Sequence, residues 1–356
     1  MTNKLLMIPH GLSANIYVRE LGRAYQKLGI NVAYNADNLA ESNLAPGILH
    51  LHWPEEQYRW SGSGSPETRA KFFLEKLAHL KSSGTRIVWT VHNMAPHEFR
   101  ESSLDRHVYQ SVIDLAELIV HHCEYSRQLL SQEYKVAPTK SQIVCPHGHF
   151  LAYPSGITKQ AARSKLGIPH DAFVYLQFGQ VRAYKGLSTM LNVFSRLRVP
   201  NKYLLVAGRY SAPQGRTRFF ERARIAYLKR FRSNTLLCLQ EVPDEDVQIY
   251  MAAGDVLVLT HTAGLNSGVA VLGMSFGKPV IAPDIGCIGA VLGQGSNFLY
   301  QPGSISELTA AMKGSASADL AHIGTINRTA SARWTWDDMA RSILYALGSP
   351  VTVQEK

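Results

Sequence analysis

The chain has 356 residues, of which 46% are hydrophobic and 18% are charged, so it is long enough for two globular domains with buried cores. Its formal net charge of +10 favours an anionic partner, which is a nucleic acid, an anionic membrane surface or a phosphorylated ligand. The apolar runs fall short of the roughly 20 residues of a membrane-spanning helix, and the four cysteines contain no Cys-x-x-Cys pair of the kind that indicates zinc.

The first 150 residues alternate short apolar runs with stretches of helical pattern. The apolar runs are LLMIPHG, INVAYNA, ILHLHWP, RIVWTVHN, ELIVHHCEYS and SQIVCPHGH. This alternation predicts parallel strands covered by helices on both faces of a sheet. The first run is typical of a β-strand rather than of a secretory signal, so we expect a cytoplasmic protein.

A polar stretch at residues 151–170 precedes a second series of apolar runs. The second series is FVYLQFG, KYLLVAG, NTLLCLQEV, DVLVLTH and KPVIAPD. We therefore predict an α/β protein with two doubly wound, Rossmann-like parallel-sheet domains, residues 1–160 and 170–335. Ligands of such sheets bind beyond the carboxyl ends of the strands, so the loops after the strands should face a cleft between the domains.

The first loop of the second domain, FGQVRAYKGLSTML at 178–191, has the composition of a diphosphate-binding loop. Gly179 permits a tight exit from the strand, and Gly186 opens the next helix. Arg182 and Lys185 place two cations in one short loop. The alternative is that both are ordinary surface charges, because the loop lacks the Gly-Lys-Ser/Thr of a Walker A motif.

A second phosphate site is predicted after the strand DVLVLTH. There Asn266 or Ser267 would cap an apolar helix that begins near Gly268, leaving free backbone N–H groups and the positive end of the helix dipole at the strand end. The alternative is a simple N-cap. Two such sites at matching strand ends of one domain favour the binding of a diphosphate.

The second half of the chain resembles the donor domain of GT-B glycosyltransferases. FGQVRAYKG resembles their Arg…Lys-Gly diphosphate loop, and VPDEDVQIYMAAGDVLVL resembles the segment before their sugar-nucleotide loop. The resemblance implies GT-B architecture, with a final helix at 336–356 that crosses back to the N-terminal domain. Donor specificity should also depend on the backbone from Gln240 to Val242.

The paired glutamates of the large retaining family of this fold would fall at Gly264 and Leu272. Both carboxylates are missing, which argues against a retaining mechanism. Inversion needs one general base and a means of stabilising the leaving diphosphate, so an inverting enzyme does not require the two missing carboxylates. No DxD-like run follows a predicted strand, and we expect no cofactor and no obligatory metal ion.

Five segments, taken in order, resemble the β-mannosyltransferases of xanthan-type exopolysaccharide assembly. They are HLHWPE at 50–55, HNMAPHE at 92–98, HGHF at 147–150, FGQVRAYKG at 178–186 and LNSGVAVLGMSFGKPVIAP at 265–283. The resemblance implies transfer of mannose from GDP-mannose, with inversion to a β product, onto a lipid-linked oligosaccharide at the cytoplasmic membrane face. A UDP-sugar-dependent GT-B transferase, glucuronosyl or glucosyl, and a catalytically degenerate sugar-nucleotide-binding scaffold remain alternatives.

Four residues at predicted strand ends of the first domain are candidate general bases, and they are Glu55, His92, Glu98 and Glu124. We favour Glu55, because desolvation beside an apolar wall that includes Trp53 moves a carboxyl pKa toward neutrality. His92 is the rival base, and the resemblance implies that it contacts the donor sugar. Glu98 is the third candidate, with helix capping as its alternative role.

The cleft is expected to be lined by further polar and aromatic side chains. These are His10, Trp53, Asn93, His147 and His149. Zinc is the alternative reading of the dense histidines, but their spacing follows successive strand ends rather than one helix face. We therefore predict a polar cleft lining and no metal ligands.

Two segments could account for the positive charge. Residues 214–233 interleave basic and aromatic side chains, which suits an anionic membrane surface but equally a solvated helix with its aromatics in the core. The predicted helix at 68–84 is the second, where Phe72 and Phe73 would face lipid or core. Nucleic acid is not expected, since no binding motif accompanies the charge.

Overall fold

The computed structural model describes residues 4–8, 16–34, 39, 46–60, 63–96, 103–211, 225–226 and 233–348. Two compact units are present. The first unit comprises Met1–Gly148 together with Trp334–Lys356, and the second comprises His149–Arg333. The polar stretch at 151–170 therefore groups with the second unit, and the end of the chain groups with the first.

The first unit is built on a parallel sheet that has six strands within the described residues. The strands are β1 (Lys4–Ile8), β2 (Asn31–Tyr34), β3 (Ile48–Leu51), β4 (Arg86–Thr90), β5 (Leu118–His121) and β6 (Ser141–Val144). Their order across the sheet is β2-β1-β3-β4-β5-β6. The strands β3 and β5 are buried along their whole length, as expected where helices cover both faces.

Helices of the first unit connect these strands. They are α1 (Ile16–Lys27), α2 (Glu56–Arg59), α3 (Pro66–Ser82), α4 (Ser103–Leu115), α5 (Glu124–Glu133) and, from the end of the chain, α13 (Trp336–Ala346). α3 starts where Ser65 Oγ accepts a hydrogen bond from Thr68 N, with Pro66 at its first position, the usual pattern of a helix start.

The final helix α13 packs on α1. The Tyr17 hydroxyl donates to Met339 Sδ at 3.3 Å, and Lys27 pairs with Asp337 at 3.2 Å. Ile343 and Leu344 join the buried cluster of the first sheet. Apolar burial of this kind contributes about 25 cal/mol per Å², so α13 is a structural part of the first unit.

The second unit repeats the architecture. Among the described residues its strands are β7 (Phe173–Phe178), β8 (Lys202–Ala207), β9 (Thr235–Cys238), β10 (Val256–Val258), β11 (Val280–Pro283) and β12 (Phe298–Tyr300), in the spatial order β12-β11-β10-β7-β8-β9. Its helices are α6 (Lys159–Leu166), α7 (Leu187–Arg196), α8 (Val247–Ala253), α9 (Gly268–Ser275), α10 (Gly286–Leu292), α11 (Ile305–Ser315) and α12 (Leu320–Ala332). The prediction of two Rossmann-like parallel-sheet domains is confirmed.

The strand order of the second sheet decides which loops meet. β7 and β10 are neighbours, with Leu176 opposite Leu257. Because parallel strands present their carboxyl ends at one edge, the loop after β7 lies beside the segment after β10. Two loops that are about 80 positions apart in the sequence are thereby brought together.

The aromatic pair of α3 is divided between core and surface. Phe73 is buried, whereas Phe72 is 47% exposed with Lys76 Nζ 5.8 Å from its ring centre. No helix in the described parts of the chain is both long and apolar enough to cross a membrane. The basic segment at 214–233 lies almost entirely outside the described residues.

Candidate functional site

The loop that follows β7, residues 179–186, is called the diphosphate loop below. Gly179 has φ 95°, in the left-handed region that favours glycine. A Cβ there would lie 2.9 Å from Val269 Cγ2 and 3.5 Å from Lys185 Nζ. The Lys185 ammonium therefore lies close to the first turn of α9.

Partial burial of the Lys185 side chain perturbs its ammonium group. It lowers the pKa of Lys185 from 10.5 to about 8, and the charge of Arg182 adds to the effect. Arg182 is half-buried and precedes a short 3-10 turn, Ala183–Lys185. Desolvation of a cation costs stability that a bound anion offsets, so the Lys185 ammonium is suited to contact a phosphate group.

The start of α9 provides the second element of this site. Ser267 is the N-cap, with its Oγ accepting from Ala270 N at 3.4 Å, and Asn266 precedes it. Gly268 is the first helical residue. The positive end of the helix dipole thus adjoins the Lys185 ammonium, and both favour an anion at the same place.

Gln240 and Val242 lie elsewhere on the same sheet. They follow β9, which β8 and β7 separate from β10, and Gln240 is exposed while Val242 is half-buried. The fold thus brings the diphosphate loop and the start of α9 together but leaves these two residues at the edge of the sheet. That position suits the base of a nucleotide better than its phosphates.

In the first unit, histidines at neighbouring strand ends surround one tyrosine ring, that of Tyr17. We call this group the histidine cluster, and it consists of His50, His52, His92, His122 and His147. Four of its rings lie 4.8 to 5.4 Å from the Tyr17 ring, edge to face, and His50 stacks on His52 at 4.4 Å. The sequence did not identify Tyr17, because it lies on α1, far along the chain from the histidines of the cluster.

The histidine cluster is neutral at ordinary pH. Burial lowers the pKa of His50 and His147 to about 3 and that of His122 to about 4, and it holds those of His52 and His92 well below 6.5. Among the described residues, no group of three or more His, Cys, Asp or Glu side chains is arranged to hold a metal ion.

Two buried nitrogens of the cluster have no hydrogen-bond partner within the described structure, His52 Nε2 and His122 Nε2. The His122 ring donates from Nδ1 to the carbonyl of Cys145 at 2.9 Å, so in the neutral ring Nε2 is an acceptor. Buried polar atoms normally have partners. Both atoms are thus buried polar positions that the described structure leaves without a hydrogen bond.

His92 is held by rings on several sides. It stacks on Trp53, with centroids 4.2 Å apart and an angle of 19° between the planes, and its Nε2 lies 3.1 Å from His52 Nδ1. The side chain is 7% exposed. Its orientation is thus fixed, as positioning of a substrate group requires.

Glu55 lies at the start of α2 and is 3% exposed. The Tyr109 hydroxyl donates to its Oε2 at 2.8 Å, and Asn93 Nδ2 donates to its Oε1 at 3.4 Å. Burial raises the pKa of Glu55, and these hydrogen bonds partly offset the rise. The structure therefore brings Glu55 and Asn93 together, while Tyr109 is a partner that sequence reasoning missed.

The remaining predicted site residues differ in where the structure places them. His147 belongs to the histidine cluster and donates from Nδ1 to the Gly148 carbonyl at 2.7 Å. His149 is half-buried and falls in the second unit. His10 and Glu98 lie outside the described residues.

Comparison with known proteins concerns the family and the fold. Residues 158–315 match the family model described as "Glycosyl transferases group 1". Two parallel six-stranded sheets in the described chain are the architecture of the GT-B fold. The family match covers less than half of the chain, and together with the relatives below it supports a glycosyltransferase enzyme.

Individual proteins that are similar to this chain give a more specific comparison than the family model. The "GDP-mannose:glycolipid 4-beta-D-mannosyltransferase" of Xanthomonas campestris pv. campestris is 27% identical over 283 residues, covering 76% of this chain and 73% of the relative. The "D-inositol 3-phosphate glycosyltransferase" of Streptomyces scabiei is 26% identical over 52% of this chain and 42% of its own length. The structure of sucrose-phosphate synthase from Thermosynechococcus elongatus shares the fold, with a TM-score of 0.73 at 16% identity over 97% of this chain and 98% of that one.

Proposed function

We propose that the chain transfers mannose from GDP-mannose to a lipid-linked saccharide, with inversion at the anomeric carbon. The observation that carries the proposal is the half-buried Lys185 side chain, whose ammonium lies near the first turn of α9 and suits a diphosphate. The choice of donor and of acceptor class is supported by the name of the Xanthomonas relative, which matches 76% of the chain.

Lys185, Arg182 and the first backbone amides of α9 are proposed to hold the leaving diphosphate. Negative charge grows on that group as the glycosidic bond to the donor breaks, and preorganised cations and a helix N-terminus stabilise it. Each charge-assisted hydrogen bond contributes about 1.5 to 3 kcal/mol. We therefore expect no obligatory metal ion in the reaction.

Glu55 is the proposed general base, because its raised pKa suits proton removal from an acceptor hydroxyl. The Asn93 contact, at 3.4 Å, is longer than the Tyr109 contact, at 2.8 Å. An acceptor hydroxyl would replace the longer one and leave Tyr109 to orient the carboxylate. One base is sufficient for a single inverting displacement.

His92 is proposed to contact the sugar that is transferred. A neutral imidazole with a fixed ring plane donates or accepts a hydrogen bond without desolvating a charge. His122 Nε2, which has no partner in the described structure, would accept a hydrogen bond from a saccharide hydroxyl. The histidine cluster is thus assigned to carbohydrate rather than to metal binding.

A lipid-linked acceptor would bring the enzyme to a membrane surface. Phe72 is exposed on α3 and has Lys76 beside its ring, a combination that suits the headgroup region of an anionic bilayer. We propose peripheral association at the cytoplasmic face of the plasma membrane, within the biosynthesis of exopolysaccharide or another cell-surface glycan.

A transfer assay tests the proposal. The purified enzyme is incubated with extracted lipid-linked oligosaccharide and, separately, with GDP-mannose, UDP-glucose or UDP-glucuronic acid. We expect mannose transfer with release of GDP, and a β-anomeric signal in the NMR spectrum of the product. Transfer from a UDP-sugar alone would refute the donor, an α product would refute inversion, and absence of transfer with every donor would favour a binding scaffold.

A further inference from the structure

The backbone carbonyls of the diphosphate loop are tied to the segment that follows β10. Thr262 donates to the Tyr184 carbonyl through both its amide, at 2.8 Å, and its hydroxyl, at 3.1 Å. Thr260 Oγ1 lies 2.7 Å from the Lys185 carbonyl and 3.0 Å from that of Gly186. Three consecutive carbonyls of the loop thus face threonines of one neighbouring segment.

Gln177 completes this network from the end of β7. Its Nε2 donates to the Lys185 carbonyl at 3.1 Å and lies 3.3 Å from Thr260 Oγ1. The Lys185 carbonyl therefore receives two donors. Gly186 adopts φ 67°, and a Cβ there would be 2.1 Å from the Thr260 carbonyl, so the loop approaches the β10 segment as closely as glycine allows.

The network fixes the backbone from which the Lys185 side chain extends. A lysine ammonium is strongly hydrated, and its four-carbon stem readily carries it out to water. Holding the ammonium beside Gly179 and Val269 therefore requires a backbone that cannot rotate. Thr260 is 2% exposed, so it would not contact a bound ligand itself and would affect binding only by holding the Lys185 backbone.

We infer that Thr260 is a positioning residue of the donor site, whose hydroxyl fixes the Lys185 backbone and so keeps the ammonium at the start of α9. The inference rests on the proposed function, since the ligand it assigns to Lys185 is the diphosphate of a sugar nucleotide. Neither the cationic pair in the loop nor the cap of α9 identifies Thr260 from the sequence.

Two substitutions separate the hydroxyl from the shape of the side chain. Thr260→Val keeps the branched shape and loses the hydroxyl, whereas Thr260→Ser keeps the hydroxyl and loses one methyl group. In the valine variant the Lys185 carbonyl retains Gln177 as donor, and the Gly186 carbonyl retains Met190 N at 3.0 Å. No carbonyl is left without a donor, so the variant should fold.

Calorimetric titration with GDP, and with UDP in parallel, measures the effect on the full-length enzyme. We expect Thr260→Val to weaken binding of the preferred nucleotide about tenfold, as loss of one positioning hydrogen bond implies, and Thr260→Ser to stay within about twofold of the wild type. The donor KM should rise by a similar factor while kcat at saturating donor changes less. Thr325→Val, which removes an exposed hydroxyl on α12, is the matched control and should bind normally.

The outcomes are distinct. Unchanged nucleotide binding in Thr260→Val would overturn the inference, and so would equal weakening in Thr260→Val and Thr260→Ser, because the hydroxyl would then not be responsible. A lower melting temperature with unchanged binding would assign Thr260 a purely structural role. A wild-type enzyme that binds neither nucleotide would refute the proposed function itself, and the inference with it.

Discussion

Replacement of Lys185 by methionine should make the protein more stable and a weaker binder at the same time. Methionine retains the length of the side chain and removes the charge. The wild-type ammonium has its pKa lowered from 10.5 to about 8, and one pKa unit corresponds to about 1.4 kcal/mol. Partial burial of the charge therefore costs the folded state about 3 kcal/mol at pH 7.

This cost depends on pH in a defined direction. It is fully present below the folded-state pKa of Lys185, about 8, and it disappears as the pH rises towards 10.5, where the unfolded chain also loses the proton. The difference in unfolding free energy between Lys185→Met and the wild type should therefore be largest at pH 7 and close to zero near pH 10.5. Urea unfolding at a series of pH values measures it.

The loss of binding should accompany the gain in stability. One charge-assisted contact of about 1.5 to 3 kcal/mol corresponds to a decrease in nucleotide affinity of about 10 to 150-fold. Lys313→Met, on the exposed surface of α11, is the matched control and should change neither quantity. A Lys185→Met variant that is less stable than the wild type, or that binds nucleotide equally well, would refute the assignment of the site.

Three further predictions concern the first unit. Glu55→Gln should lower kcat by about 10²- to 10⁴-fold with unchanged nucleotide affinity, and normal turnover in that variant would remove Glu55 as the base. The first unit should lose stability as the pH falls below 6.5 towards 4, since burial lowers the folded-state pKa values of the histidine cluster. At pH 5 each buried imidazole lowers the free energy of unfolding by about 2 kcal/mol. A free energy of unfolding in urea that is the same at pH 7 and pH 5 would contradict this prediction. Trp336→Ala should destabilise the first unit by about 3 to 5 kcal/mol, because its ring packs on Tyr17 and Gly148. Thermal unfolding measures this loss, and a loss well below about 3 kcal/mol would contradict the prediction.

The fold was accessible from the sequence because parallel-sheet strands are buried on both faces. β3 and β5 consist mainly of apolar residues and are buried along their whole length for that reason, and each is followed directly by a histidine, His52 and His122. The loop after β7 could also be singled out from the sequence, since Gly179, Arg182 and Lys185 lie within one short segment, and its role in diphosphate binding stays a prediction. Residues that lie within one short loop can be grouped from their spacing in the sequence alone.

The supporting contacts could not be predicted in the same way. Tyr109 is 54 positions from Glu55, and His52 is 40 positions from His92; such pairs are determined by how helices pack on the sheet. Thr260 carries no motif of its own. Its role depends on the adjacency of β7 and β10 in the sheet, which strand patterns in one sequence do not determine.

Thermal unfolding of the wild-type enzyme with GDP, UDP, GDP-mannose and UDP-glucuronic acid tests the donor site most directly. A ligand that binds only the folded state adds about 2.7 kcal/mol at 100 times its dissociation constant, which is readily measured. We predict stabilisation by GDP and GDP-mannose, and loss of that stabilisation in Lys185→Met. Stabilisation by the uridine nucleotides alone would contradict the choice of donor, and no response to any of the four would contradict a sugar-nucleotide site on the second unit.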